Sequence, residues 1–334
     1  MTKRAVLIGC NYSAIPGVQL RGCINDIVNV RNMLVDAYGY LVENVTILRD
    51  DVATSLPNKA NILAALNTVI AQSSVGDEIW IHYSGHGTQV NDTSANPDEP
   101  QDEAIVPCDF QSAGFIIDDD LFDIIKISIA TTIIVFDSCH SGTAVDLEYT
   151  MNYENGVLSN VVNNNKKISN PNIFMFSGCR DSQTSSDAFS NFEQEPVGAF
   201  TDSLLETLRA NRHNASIVKV YSDICLNLSK NGFSQIPCLS STVPTPIYTF
   251  KGYNASASTV TQTPIVTQSP IVTQTPIVTQ SPIVTQSPIV TQTPTVTQTP
   301  YKVQMNPTIQ TQGVFYYKVQ NNSISKLSTM PPTK

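Results

Sequence analysis

The chain has 334 residues, 41% of them hydrophobic, and a formal net charge of −9. That is enough for one or two domains with a sizeable core, and no run of 18 apolar residues offers a membrane span. The five lysines from Lys251 onward stand without a single acid, which leaves −14 on the first 250 residues; such a field disfavours nucleic acid and favours cations, either metal ions or basic peptides.

The start, "MTKRAVLIGCNY", carries a basic pair, but its apolar run is short and already reads as a strand, so no signal peptide is expected. "CINDIVNVRNMLVDAY" (Cys23–Tyr38) has Ile27, Val30, Leu34 and Ala37 on one helical face. A strand follows at 44–50 and a helix at 58–72. "DEIWIHYSG" (Asp77–Gly85) is a strand, "DDDLFDIIKI" (Asp118–Ile127) a short helix, and "TTIIVFDSC" (Thr131–Cys139) another strand. A strand over 172–179, helices over 198–211 and 216–232, and an edge strand near 235–242 complete the series. Strand alternating with helix predicts an α/β fold, a mostly parallel six-stranded sheet covered by helices on both faces.

Composition breaks near residue 250. From Thr261 to about Pro300 a Thr-Gln-Ser/Thr-Pro unit recurs every six residues. Regular proline forbids a helix and spoils a central strand, and the unit lacks the bulk for a core. The expected organisation is a domain over 1–250, an extended low-complexity linker over 251–312 and a short segment over 313–334. A β-solenoid is the weaker reading of the repeat, because solenoid units lack regular proline. Gly313–Leu327 reads as a small hairpin or a docking segment.

Two strands end in chemically active residues. His86 lies between Gly85 and Gly87, and Cys139 lies in Asp-Ser-Cys-His-Ser-Gly. In parallel sheets the chemistry sits at the carboxyl ends of the strands. A cysteine nucleophile needs a base to make its thiolate and backbone amides to hold the oxyanion. Taken singly, a buried cysteine or a strand-end histidine is ordinary structure; the pair, both at strand ends in glycine-containing turns, reads as chemistry. The other cysteines, Cys10, Cys108, Cys179, Cys225 and Cys238, read as core fillers. With seven cysteines and no C-x-x-C pair, a disulfide framework or zinc site is not expected, and a reducing, cytoplasmic setting fits. His140 reads as structural and His213 as solvated.

"HYSGHG" and "DSCHSG" resemble the two catalytic signatures of metacaspases, caspase-like cysteine peptidases. "LRGCINDIVNVRNML", "DEAIVPCD", "IIDDDLF", "SGCRDSQTSSDA", "GAFT" and "QIPCLSS" agree, so the resemblance covers roughly residues 3–250. The short spacing between the halves resembles the type I arrangement, here with a low-complexity tail after the domain in place of a Pro-rich segment before it. The resemblance implies a caspase-like fold with a large-subunit-like part (1–155), a processing loop (156–171) and a small-subunit-like part (172–250). It makes Cys139 the nucleophile, His86 the general base, and Gly87 and Cys139 the oxyanion donors. His82 is the motif's other, non-catalytic histidine, and no third catalytic member is expected.

The acids gain meaning from the same resemblance. Cleavage after Arg or Lys implies an acidic S1 pocket, and the matching positions are Cys23, Asp26, Ser84 and Asp137. Asp26 by itself reads as a helix-start acid favoured by the helix dipole. Asp102, Asp118, Asp119 and Asp146 match the family's activating Ca²⁺ site, with hard oxygen ligands that suit calcium rather than zinc; the bland reading of Asp118–Asp120 is the start of a helix. Asp92, Asp98, Glu99 and Glu103 read as a solvated acidic loop. The asparagine-rich stretch between residues 155 and 172 reads as an exposed flexible loop. It offers Lys166 and Lys167 as autocleavage sites, or as mere solubilising charges.

The leading expectation is therefore a monomeric, calcium-activated cysteine endopeptidase that acts on protein or peptide substrates with a basic P1 residue. The alternatives are a non-catalytic caspase-like scaffold working through its repeat tail, and a related caspase-fold peptidase with another P1 choice.

Overall fold

The computed structural model describes residues 1–91, 101–139, 144–154, 157–163, 166–178, 187–190, 195–253, 317–320 and 323–326. The first half contains β1 (Lys3–Gly9), α1 (Cys23–Tyr38), β2 (Val45–Arg49), α2 (Lys59–Ala71), β3 (Glu78–Ser84), β4 (Gly87–Asn91), β5 (Gln101–Ile105), α3 (Phe110–Ala113), β6 (Ile116–Ile117), α4 (Asp118–Ile125) and β7 (Thr131–Asp137). The second contains β8 (Tyr149–Glu154), β9 (Val157–Val162), β10 (Ile173–Ser177), β11 (Asp187–Phe189), β12 (Pro196–Gly198), α5 (Ala199–Ala210), β13 (Asn214–Ser216), α6 (Ile217–Lys230), β14 (Cys238–Ser241) and β15 (Thr249–Lys251).

The chain falls into two units, residues 1–257 and 258–334. The main sheet of the first runs β2-β1-β3-β7-β10-β14-β8-β9. The five strands from β2 to β10 are parallel, and β14, β8 and β9 continue antiparallel. The parallel strands are near-continuous apolar runs because both faces are covered. Leu7, Trp80, Ile133, Val135 and Phe176 meet α1, α5 and α6 on one face. Val6, Ile8, Ile81, Ile134 and Phe136 meet α2 and α4 on the other. The period of two that separates these sets decides which strand-end residues share a face.

The expected mostly parallel sheet is present, but it has eight strands rather than six. Residues 149–162, the second half of which was read as loop, form the hairpin β8–β9. The missed signal is Asn155–Gly156 between two β-prone runs, a dipeptide that favours tight hairpins. β14, expected at the edge, lies between β10 and β8 for the same reason. A small sheet, β4-β5-β6, stands beside the main one; its short polar strands lack the alternation that would announce them. In the second unit, Tyr317–Gln320 (β16) pairs antiparallel with Ser323–Lys326 (β17), within the stretch read as a hairpin. The hexapeptide repeat lies outside the described residues. Among those described, no helix is long and apolar enough to cross a membrane.

His82, in the middle of β3, is fully buried, and burial pushes its pKa down to about 3 from 6.5. It is therefore neutral in the folded protein. Below pH 6.5 the unfolded chain binds a proton at this position that the folded chain refuses, so stability is fully present above pH 6.5 and falls as pH drops toward 3. The expected loss is about 2 kcal/mol at pH 5. Urea unfolding at pH 7 and pH 5 checks this: His82→Gln should remove about that much of the wild-type acid sensitivity, and an unchanged slope would reject it.

Candidate active site

The parallel pairing of β3 with β7 sets Ser84 opposite Asp137, and the Gly85 amide donates to the Asp137 carbonyl (3.3 Å) just beyond the last pair. His86 and Cys139 each follow two residues after that pair. The backbones then converge: a Cβ on Gly87 would overlap the Cys139 carbonyl oxygen. Only glycine permits this approach, and it brings the residue after His86 against the residue expected to carry the nucleophilic thiol. Cys139 is partly exposed, unlike the buried Cys10, Cys23, Cys225 and Cys238. His140 and residues 141–143 lie outside the described residues, as does Cys179.

His86 is held on several sides. Its Nε2 lies 2.8 Å from the Val18 carbonyl oxygen. A carbonyl only accepts, so Nε2 carries the proton and Nδ1 is left as the basic nitrogen. The His86 amide donates to the Tyr12 hydroxyl (3.0 Å), and the Tyr12 ring stacks on the imidazole at 4.8 Å and 29°. Tyr12 in turn donates to the Val106 carbonyl (2.6 Å), and the His86 carbonyl accepts from Tyr83 (2.6 Å) and from the Val106 amide (3.1 Å). Tyr12 sits at φ 52°, and its amide and that of Asn11 both donate to the Asp50 carboxylate. Neither Val18 nor Tyr12 was expected from the sequence. Val18 acts through its backbone, which no side-chain pattern reveals, and Tyr12 follows β1 in a stretch that reads as ordinary strand.

The acids behind Cys139 come together. Asp26 and Asp137 are 1% and 4% exposed. Asp26 accepts from the Ser84 hydroxyl (2.6 Å) and the Gly198 amide (2.9 Å). Asp137 accepts from the amide (2.9 Å) and hydroxyl (2.8 Å) of Thr201 at the start of α5, where helix amides favour an anion. A Cβ on Gly198 would overlap Oδ2 of Asp137 and lie 2.9 Å from Oδ2 of Asp26. The two carboxylates thus face one point, kept open by a glycine. Cys23 joins them: burial first, then Asp26, pushes its thiol well above the usual range, so it remains protonated. Thr201 and Gly198 belong to the quoted "GAFT" stretch, but no role was read for them. Thr201 also reaches His82 Nε2 at 3.4 Å, which ties that histidine to the same buried group.

A second acidic group lies at the start of α4. Carboxylate oxygens of Asp118, Asp119 and Asp146 come within 4.8 Å of one another. Burial, then Asp146, raises Asp118 to about 8, and its oxygens accept from the Glu103 (3.0 Å) and Asp119 (2.7 Å) amides. Asp146 sits at φ 49°. Asp102, on β5, is buried but stands outside this group of three. Glu103 is also buried, contrary to the expected solvation, and accepts from Gln89 (3.2 Å) because β4 and β5 pair here. Asp92, Asp98 and Glu99 lie outside the described residues. Lys166, expected on an exposed loop, ion-pairs with Asp119 (2.8 Å) and Asp146 (2.5 Å), while Lys167 is exposed. His213, expected in solvent, is half-buried and edge-on to the Tyr38 ring (5.3 Å).

The chain is similar to known proteins. Residues 3–148 match a family model described as metacaspase, peptidase C14 domain. Metacaspase-1B of Aspergillus niger is 34% identical over 72% of this chain and 65% of its own length. Metacaspase-1A of Aspergillus terreus is 34% identical over 72% of this chain and 71% of its own length. The chain thus spans about two thirds of the curated relatives it matches. A crystal structure of a Geobacter sulfurreducens protein superposes with a TM-score of 0.52 at 21% identity, covering 77% of this chain and 96% of that one, a likeness of fold.

If Tyr12 orients His86, its two contacts are separable. Tyr12→Phe keeps the stacked ring and loses the hydroxyl's bonds to the His86 amide and the Val106 carbonyl, each worth about 1 kcal/mol, so kcat/KM should fall at least about fivefold. Tyr12→Leu also loses the stack, and the acid limb of the kcat/KM profile should move with it. A pH profile in which both variants overlay wild type would remove Tyr12 from the machinery.

Proposed function

The chain belongs to the metacaspase family of cysteine-type peptidases, and we propose that it is a calcium-activated endopeptidase that cuts after Arg or Lys. The observation that carries the reading is the convergence of Asp26 and Asp137 on Gly198, behind the strand ends that bear His86 and Cys139.

The mechanism follows from the site. His86 Nδ1 takes the Cys139 thiol proton while Nε2 keeps its own, donated to the Val18 carbonyl. The Cys139 sulfur attacks the substrate carbonyl, and the oxyanion is held by backbone amides, with those of Gly87 and Cys139 as the donors. The C–N bond breaks as His86 returns its proton to the departing amine. Water, giving its proton to His86, then attacks the thioester carbonyl; the C–S bond breaks, the acid departs and His86 returns the proton to the Cys139 sulfur. The P1 side chain lies in the recess of Asp26, Ser84, Asp137 and Cys23, where two carboxylates pair a guanidinium or ammonium and repel an acidic P1 group.

The donor set of Asp118, Asp119 and Asp146 fits Ca²⁺: three hard oxygen donors, close together, with no histidine or cysteine among them. Asp102 adds a buried carboxylate on the neighbouring strand. Asp118 and Asp119 at the start of α4 and Asp146 after Cys139 would hold the ion, which would supply positive charge to offset theirs. Autoprocessing after Lys166 or Lys167, a monomeric state and a cytoplasmic setting complete the proposal. The scaffold alternative gains no support from the site, since a non-catalytic domain has no need of a histidine pinned at Nε2.

A fluorogenic panel with P1 Arg, Lys and Asp, run with and without calcium, tests the reading. Arg and Lys should be cleaved and Asp refused, only with calcium, and Cys139→Ala should abolish the activity. Faster cleavage of the Asp peptide, or activity indifferent to a chelator, would reject the specificity or the activation respectively. Asp26→Ala should cost about 2–5 kcal/mol in kcat/KM for Arg peptides, the scale for unpairing a buried charge.

A further inference from the structure

Lys166 is where a cation would go. Its ammonium lies 2.8 Å from Asp119 Oδ1 and 2.5 Å from Asp146 Oδ2, two of the three acids in the group at the start of α4. The same ammonium sits 5.3 Å from the centre of the Phe122 ring on α4, a cation–π distance. Asp146 is nearly inaccessible, at 3% side-chain exposure, whereas Lys166 keeps 33%. The next residue behaves differently: Lys167 is 77% exposed and its ammonium is 3.9 Å from Glu148. Of two adjacent lysines, one is held and one is solvated.

The segment is fastened on both sides of this contact. Asn163 donates to the Leu147 carbonyl (3.0 Å), Ile168 packs against the core, and Asn170 donates to the carbonyls of Ser128 (3.0 Å) and Ala130 (2.7 Å). Lys166 is the charged clasp in the middle of that span.

We propose that Lys166 is a tethered counter-cation: it occupies the acidic group in the resting chain, and a divalent cation binds there only by displacing it. The inference rests on the calcium reading above and specifies how that site is regulated. The steric and electrostatic case is direct. A calcium ion needs carboxylate oxygens at about 2.3–2.6 Å. Asp119 Oδ1 and Asp146 Oδ2 are already engaged by an ammonium, and two cations sharing these oxygens would repel at short range. Linkage then makes the effect reciprocal: what Lys166 takes from metal affinity, the metal takes from the hold on Lys166. There is a consequence for processing. An ammonium paired with Asp119 and Asp146 cannot also pair with Asp26 and Asp137, so Lys166 becomes a P1 residue only after the exchange. Metal binding and release of the Lys166 side chain are one event.

Calorimetric titration with CaCl₂ tests this on the full chain carrying Cys139→Ala, so that nothing is cut. Lys166→Met keeps an unbranched stem beside Phe122 and drops the charge; it should bind calcium at least about fivefold more tightly, the low end of couplings between two sites. Lys166→Arg should stay near the parent. Lys167→Met, with the same charge change one residue away, should also stay near it, which separates local exchange from the general field. Thermal unfolding supplies a second readout: with chelator, Lys166→Met should melt below the parent, and calcium should raise its melting point by more. Equal affinity in the parent and Lys166→Met, or an equal gain with Lys167→Met, would overturn the inference and leave the calcium reading standing. A silent titration in every variant would overturn both.

Discussion

The parallel pairing of β3 with β7 fixes everything that the site depends on. With Ser84 opposite Asp137, His86 and Cys139 each stand two residues beyond the paired strand ends, and Gly87 packs on the Cys139 carbonyl. A slip of one residue would turn Asp137 from the α1/α5 face to the α2/α4 face and part it from Asp26. The register is pinned by the two cores that flank it, because Trp80, Ile133 and Val135 belong to one and Ile81, Ile134 and Phe136 to the other. Burial of ordinary aliphatic residues therefore sets the geometry of the polar ones. The glycines serve the same end, since Gly87 and Gly198 are the points where backbone must pass close to Cys139 and to the paired carboxylates.

The acids divide by how they are satisfied. Asp26 and Asp137 accept hydrogen bonds from neutral donors: a serine, a threonine and backbone amides. These hydrogen bonds fix the direction of both carboxylates. Asp119 and Asp146 meet a lysine of the same chain. Part of the net −14 of the first 250 residues is thus concentrated in these two groups.

Much of this was legible in the sequence, and the legible part has a common physical character. Parallel strands covered on both faces must be apolar throughout, so β1, β3, β7 and β10 stand out, and chemistry at their carboxyl ends follows from sheet topology. The β8–β9 hairpin was hidden although its strands are β-prone, because the asparagines beside them, Asn155 and Asn163 to Asn165, gave the whole stretch the composition of a loop. Val18 was hidden because its contribution is a carbonyl. Lys166 was hidden most thoroughly: its composition is that of a solvated loop, and only the fold brings it to Asp119, 47 residues earlier. A sequence displays charge, but the pairing of charges across that distance is decided by tertiary structure.

The two histidines of the β3 segment make the same point within four residues. His82 and His86 have identical side chains and stand at the helix-like spacing that in another fold would make them joint ligands. Here the strand carries His82 into the middle of the sheet, where desolvation depresses its pKa to about 3 and leaves Thr201 as a distant neighbour. It cannot accept a proton near neutral pH, so it cannot be the base. His86 lies past the last sheet pair, half-buried, with a carbonyl on one ring nitrogen and an aromatic ring on its face. Where the strand stops separates the two: β3 ends at Ser84, Gly85 and Gly87 let the chain turn and pack on Cys139, and the imidazole between those glycines is left partly exposed.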